Sequence, residues 1–301
     1  MFKMKSLPCI VALFSLALVS CIERIPEKEM PDVDNGVITM IQATVEPLEL
    51  KGATGTGLYS WDEAHAIGIY GSAVGYNECY LPVKSTIGDN EAYFFGNTVG
   101  GDLILYMPYS AQGSVAAQDG RVTVPAKQQY YADPFDHLMY NSTFFTTATT
   151  NEARFDFYTG LIKIEIKYDI QDITSVKLIL GNLSTDVAYS PYLVGDLAVD
   201  EDVEQTIVNG STTLVIEGFP EGIDSTIENP LVVWAAVAPG EFENLVVEIS
   251  NNESTISSPV KGPFLAERCA IAEHTCVAQE VKHDNGIGDF EGENGEFNPK
   301  N

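Results

Sequence analysis

Past residue 36, apolar and polar side chains alternate with a period of two along most of the chain. In FDFYTGLIKIEIKYD (155–169), Ile162, Ile164, Ile166 and Tyr168 share one face, while Lys163, Glu165, Lys167 and Asp169 share the other. That pattern is the mark of a half-buried antiparallel strand. The same reading predicts strands within 37–50, 66–71, 92–98, 102–110, 120–126, 175–184, 212–220, 231–239 and 244–250. LVVWAAVAP (231–239) lacks polar alternation, which predicts a central strand covered on both faces. No stretch of a dozen residues keeps a 3.6-residue period. The best helical candidate, Leu265 to Glu280, reads equally well as a closing strand.

Turn signals punctuate these runs about every ten residues, among them Gly88-Asp89-Asn90, Gly100-Gly101-Asp102, Asp119-Gly120, Asn209-Gly210 and Pro239-Gly240. Short, evenly spaced strands with such turns predict β-sandwiches. TFFTTATTNEA (143–153) is Thr-rich and unpatterned, and a strong strand begins after it. The expected division therefore lies near residue 150, with one sandwich over 37–150 and a second over 151–283. The acidic, Gly-rich end, 284–301, reads as a disordered tail whose acids do not match an EF-hand calcium loop.

The N-terminus changes the picture. Lys3 and Lys5 precede an apolar run from Leu7 to Val19, too short to span a bilayer and suited to a cleavable signal peptide over 1–20. Leu18-Val19-Ser20-Cys21 resembles the lipobox of bacterial lipoproteins. That resemblance implies cleavage between Ser20 and Cys21 and acylation of Cys21 with palmitate-type chains; stable anchoring needs two or more such chains, since each buried methylene contributes only about 0.8 kcal/mol. The segment 21–36, rich in charge and Pro, reads as a flexible tether. Its acids near Cys21 resemble the export tags of surface lipoproteins in Bacteroidetes-type bacteria.

Charge excludes some partners. Sixteen basic against 43 acidic residues give the 301-residue chain a net charge of −27, and loss of Lys3 and Lys5 with the signal deepens it. Such a field repels nucleic acid and anionic membrane surfaces, leaving the lipid on Cys21 as the only membrane contact. Of five Cys, Cys9 leaves with the signal and Cys21 carries lipid. Cys79, Cys269 and Cys276 are then expected as mostly buried, unpaired thiols; a Cys269–Cys276 bridge would require a turn between them.

Several segments together resemble the fimbrillin family of Bacteroidetes. Trp61-Asp62 leading into AHAIGIYG, then LILYMPYS, then PFDHLMY (134–140), then ARFDFYTGLIKIEI (153–166) follow that family's order over about residues 37–180. Phe157-Tyr158 stands where a His is usual, so no His role carries over. The resemblance implies an all-β chain of two tandem transthyretin-like antiparallel β-sandwich domains. It also implies a lipoprotein of the cell outer membrane that serves in type V fimbriae or as a related surface adhesin. In that family a stalk pilin is cut after an Arg in or just after its first strand, which opens a groove for a strand of the next subunit. Here the only Arg before Arg121 is Arg24, ahead of the first strand, and Lys51 is the nearest basic residue after it. The chain therefore reads as an anchor, accessory or tip-like subunit, with a polymerising stalk pilin as the alternative. Other fimbrial subunits or surface proteins are the expected partners, and a host or glycan receptor stays open.

Candidate chemistry is sparse. His65, His137, His274 and His283 are scattered, and no HExxH, nucleophile elbow or phosphate-cradling loop occurs. Glu273, His274 and Cys276 beside Cys269 sketch a zinc site, yet in a strand His274 and Cys276 merely share a face. Asp200, Glu201 and Asp202 read as a solvated turn, and no carboxylate pair stands out as a glycosidase site. Trp61, Tyr59, Tyr70, Tyr76, Tyr80, Tyr130 and Tyr131 raise a second class, a glycan-binding surface protein, against the expectation that Trp61 and Tyr70 pack in the core. The sequence thus predicts a binding or structural protein, not an enzyme, without cofactor or metal.

Overall fold

The computed structural model describes residues 37–45, 60–71, 77–181, 189–199 and 206–277. Within them the chain is almost entirely strand, and its antiparallel ladders confirm the all-β reading.

The first sheet has seven strands, in the order β8-β5-β2-β3-β4-β1-β9. They are β1 (Val37–Val45), β2 (Ile67–Gly71), β3 (Asn77–Pro82), β4 (Glu91–Gly100), β5 (Leu103–Met107), β8 (Phe144–Ala148) and β9 (Glu152–Phe155). Its two outer strands meet through a single antiparallel bridge, Phe145–Asp156, so the sheet curls back on itself. The curl needs close packing at β2. Tyr106 lies against Gly68, where an added Cβ would stand 2.1 Å from the ring. Its hydroxyl bonds Asn77 Oδ1 at 3.0 Å and the Ser110 carbonyl at 3.1 Å.

The later sheets hold β6 (Arg121–Val124), β7 (Lys127–Gln129), β10 (Gly160–Lys167), β11 (Ser175–Leu180), β12 (Val194–Ala198), β13 (Ile207–Ser211), β14 (Thr213–Glu217) and β15 (Leu231–Val237). They are completed by β16 (Gly240–Phe242), β17 (Leu245–Ser250), β18 (Thr255–Pro259), β19 (Phe264–Ala266) and β20 (Ile271–Val277). The sheets run β15-β10-β20, β18-β17-β11-β14-β7, β13-β12-β6 and β16-β19. Ile162, Ile164 and Ile166 of β10 are fully buried, as the alternation predicts. They share one core with Val176, Leu178, Ile216 and Val247 of the five-stranded sheet.

Three observations refine the sequence reading. First, the stretch 143–153 is not an unpatterned connector: it carries β8, with Phe144 and Phe145 buried, and the start of β9. Second, strand pairing crosses residue 150. β6 and β7 precede it yet pair with β12 and β14, while β9 follows it yet runs parallel to β1. Third, β15 is covered as expected, with Val233 through Ala238 buried, but it is an outer strand and not a central one. Its cover comes from side chains and a helix instead of a neighbouring strand.

Two short helices occur among the described residues, α1 (Val115–Gln118) and α2 (Pro134–Asn141). Asp133 caps α2, its carboxylate accepting from the N–H of Phe135 at 2.8 Å and of Asp136 at 3.3 Å. Pro134 occupies the first turn, where its missing N–H costs nothing. No helix of the described residues is long and apolar enough to cross a membrane.

Candidate assembly edges

The first described strand and the sheet edges are where main-chain groups could be offered to a partner. β1 lies between β4, antiparallel, and β9, parallel. Ile41, Ala43 and Val45 are completely buried while Gln42 and Thr44 are half-buried, so one face of β1 plugs the core. Beneath it the Trp61 indole contacts Phe94 edge-on at 4.8 Å and Phe155 at 6.2 Å, and its Nε1–H donates to the Asn90 carbonyl at 2.9 Å. A chain without β1 would present a groove between β4 and β9 floored by these rings. Beside it, on the outer side of the sheet, Leu81 and Phe95 pair across β3 and β4 and are both more than half exposed.

The flank formed by β7 and β15 is closed by two carboxamides. Gln128 behaves as one rung of a strand: its Nε2–H donates to the Ala236 carbonyl at 2.6 Å, and its Oε1 accepts from the Ala236 N–H at 3.0 Å. Asn141, at the end of α2, does the same to β7, accepting from the Gln129 N–H at 2.7 Å and donating to the Gln129 carbonyl at 2.8 Å. His137 joins the two, with Nε2 2.8 Å from Gln128 Oε1 and Nδ1 3.2 Å from Asn141 Nδ2. These partners assign the imidazole proton to Nε2. Complete burial holds the His137 pKa down at about 3, so the ring is neutral. Trp234 Nε1–H adds a bond to the Ala132 carbonyl at 3.1 Å.

The opposite flank is formed by β18 and β20. Cys276 on β20 hydrogen-bonds Ser258 on β18, and burial pushes its thiol up to about 11, where it is inert. Among the described residues Cys79, Cys269 and Cys276 form no disulfide, as expected; Cys276 is buried and the other two are half-buried. Cys269 points its sulfur at the Phe157 carbonyl, 3.2 Å away. Glu273 pairs with Lys163 at 3.0 Å and does not turn toward His274 and Cys276. Among the described residues no group of three His, Cys, Asp or Glu side chains could hold a metal ion.

Among the described residues the aromatic candidates do not form a platform. Trp61, Tyr70 and Tyr80 are buried, Tyr70 stacking on Tyr106 at 5.7 Å. Tyr130 stacks on Phe219 at 4.4 Å, and Tyr131 on Tyr140 at 5.0 Å. His65 is buried against Trp61 and accepts from the Asp62 N–H at 3.1 Å. Tyr59, Tyr76, His283, the acids 200–202, Ser20, Cys21, Arg24 and Lys51 lie outside the described residues. Sequence reasoning missed Gln128, His137 and Asn141 as a unit; the spacing of His137 and Asn141, one helical turn apart, was the available signal.

No protein-family model and no curated protein matches this chain. Solved structures do. A candidate cell adhesion protein from Bacteroides ovatus is 16% identical, with a TM-score of 0.45 over 78% of this chain and 91% of that one. The tip fimbrial protein of Porphyromonas gingivalis, with a C-terminal truncation, is 9% identical, with a TM-score of 0.29 over 74% and 81%. A fimbrial assembly protein from Parabacteroides distasonis is 8% identical, with a TM-score of 0.31 over 78% and 90%. These three neighbours are described as cell adhesion or fimbrial proteins.

Proposed function

We propose that this chain is a lipid-anchored, surface-exposed fimbrillin-like protein, a structural or adhesive component that works through strand-mediated contacts with other surface proteins. The observation that carries the reading is β1. The first described strand is a discrete plug: three alternate side chains are fully buried over an aromatic floor, and main-chain pairing runs along both of its edges. A strand in that position is what donor-strand assembly removes or replaces. The division into two tandem domains remains part of this proposal, with 121–129 reaching from the earlier region into the later sheets.

The anchor, accessory or tip-like role is favoured over the stalk role by the basic residues. Neither Arg24 nor Lys51 lies within β1, so the family's cleavage site is missing from the strand itself. The Cys21 lipid would then hold the chain at the outer membrane while β1 stays in place. Cell fractionation with an antibody tests this: the protein should stay in the outer-membrane fraction, be shaved by protease from intact cells, and be released into the soluble fraction by Cys21→Ala. Retention inside intact cells would overturn the surface reading.

A further inference from the structure

β20 is an edge without the devices found at β7, β8, β9, β15 and β18. Natural outer strands are blunted by proline, charge, bulges or cover. β7 and β15 are closed by Asn141 and Gln128, β8 and β9 meet each other, and β18 ends in Pro259. β20 reads IAEHTCV, seven residues with no Pro or Gly and a single charge. On its inner side it runs parallel to β10 from Leu161↔Ile271 to Lys167↔Val277. The Leu161 N–H donates to the Ala270 carbonyl at 3.0 Å. By strand alternation the main-chain groups of Ala272, His274 and Cys276 also face β10, and those of Ile271, Glu273 and Thr275 face outward. Among the described residues no backbone group pairs with them. At the strand's midpoint, His274 Nε2 is buried with no hydrogen-bond partner among the described residues.

We propose that β20 pairs antiparallel with β20 of a second copy of this chain, about a two-fold axis through His274. The sequence is self-complementary in that register. Ile271 faces Val277, Ala272 faces Cys276 and Glu273 faces Thr275, so all seven residues pair and every outward main-chain group meets an outward one. An axis through Glu273 would set two carboxylates directly opposite each other and shorten the ladder, both unfavourable. At the axis the two His274 residues form a non-hydrogen-bonded pair, the closer kind, with Cα atoms about 4.5 Å apart. One Nε2–H can then donate to the other Nε2, which supplies the missing partner.

The joined sheet would run β15-β10-β20-β20-β10-β15. The contact is isologous and so closes at two, and on each outer β15 the Ala236 main-chain groups are already held by Gln128. A single strand pair is a small interface, at the weak end of specific contacts. The net charge of −27 opposes it at long range, so added salt strengthens the dimer. The inference holds whether or not the chain joins a fimbria.

Sedimentation velocity of the full mature chain across the micromolar range, at low and high salt, reads the association directly. The parent should dimerise, more completely at high salt. Thr275→Pro removes an outward N–H that no internal bond uses, a position where an edge strand tolerates proline; it should be monomeric with an unchanged unfolding midpoint. Thr275→Ala keeps the N–H and should dimerise like the parent. His274→Cys should form a covalent dimer on mild oxidation, because the Cα separation at the axis suits a disulfide. A parent that stays monomeric throughout overturns the proposal, as does a Thr275→Pro protein that still dimerises. If Thr275→Pro loses stability, the cross-link decides, and its absence also overturns the proposal.

Discussion

The side chain of Gln128 pairs with the main chain of Ala236 as a strand would, donating to its carbonyl at 2.6 Å and accepting from its N–H at 3.0 Å. A buried outer strand leaves polar main-chain groups that must find partners. One carboxamide supplies both, 108 residues away in sequence. Gln128→Leu keeps the bulk but strands the Ala236 groups and His137, so it should cost about 2–4 kcal/mol. Urea unfolding should show a lower midpoint with an unchanged slope.

His137 makes the same unit sensitive to acid. Its folded pKa, about 3, lies below the ordinary value of 6.5 because burial disfavours the imidazolium. Between these values the unfolded chain binds a proton that the folded chain does not. Stability therefore falls as pH drops from about 6.5 toward 3, with a slope near 1.4 kcal/mol per pH unit from this residue at its steepest. His137→Gln should flatten the pH dependence of unfolding by one proton relative to the parent. His65 and His274, also lowered by burial, remain in both proteins and cancel in that comparison.

Gly68 and Tyr106 form a second coupled pair. A methyl group at residue 68 would collide with the ring that bonds Asn77 and Ser110. Gly68→Ala should cost about 1–3 kcal/mol, the ordinary penalty of overpacking. Combining it with Tyr106→Leu should cost less than the sum of the two changes, as a double-mutant cycle on thermal unfolding would show.

Ile41 tests the plug. Ile41→Ala empties a fully buried site over the aromatic floor of Trp61 and should cost about 2–5 kcal/mol. If β1 opens as a unit, amide exchange should accelerate along β1, β4 and β9 while the β11–β14 ladder stays protected.

The sequence revealed the elements whose fate is decided locally. β11 alternates strictly in burial and β10 does so from Ile162 onward, and these buried faces follow from that period. The burial of β15 was equally legible, but its outer position was not, because its cover is a glutamine and a helix far away in the chain. α2 escaped because eight residues are too few to show a helical period, although Asp133-Pro134 is a local start signal. The division near residue 150 rested on the Thr-rich look of 143–153, which hid Phe144 and Phe145 in a short strand. Pairing across that point, β6 with β12 and β9 with β1, depends on long-range contacts that no local pattern encodes. Cys21, the residue on which the anchoring rests, was read from Leu18 to Ser20 and from the signal-like Lys3, Lys5 and apolar run before them.

Mass spectrometry of the mature N-terminus from native cells tests the central claim most directly. The account predicts a chain that begins at acylated Cys21 and retains β1, with the acyl mass abolished by Cys21→Ala. A mature chain that begins beyond Val45, near Lys51, would contradict it: β1 would be gone, the groove between β4 and β9 open, and the protein a polymerising stalk pilin.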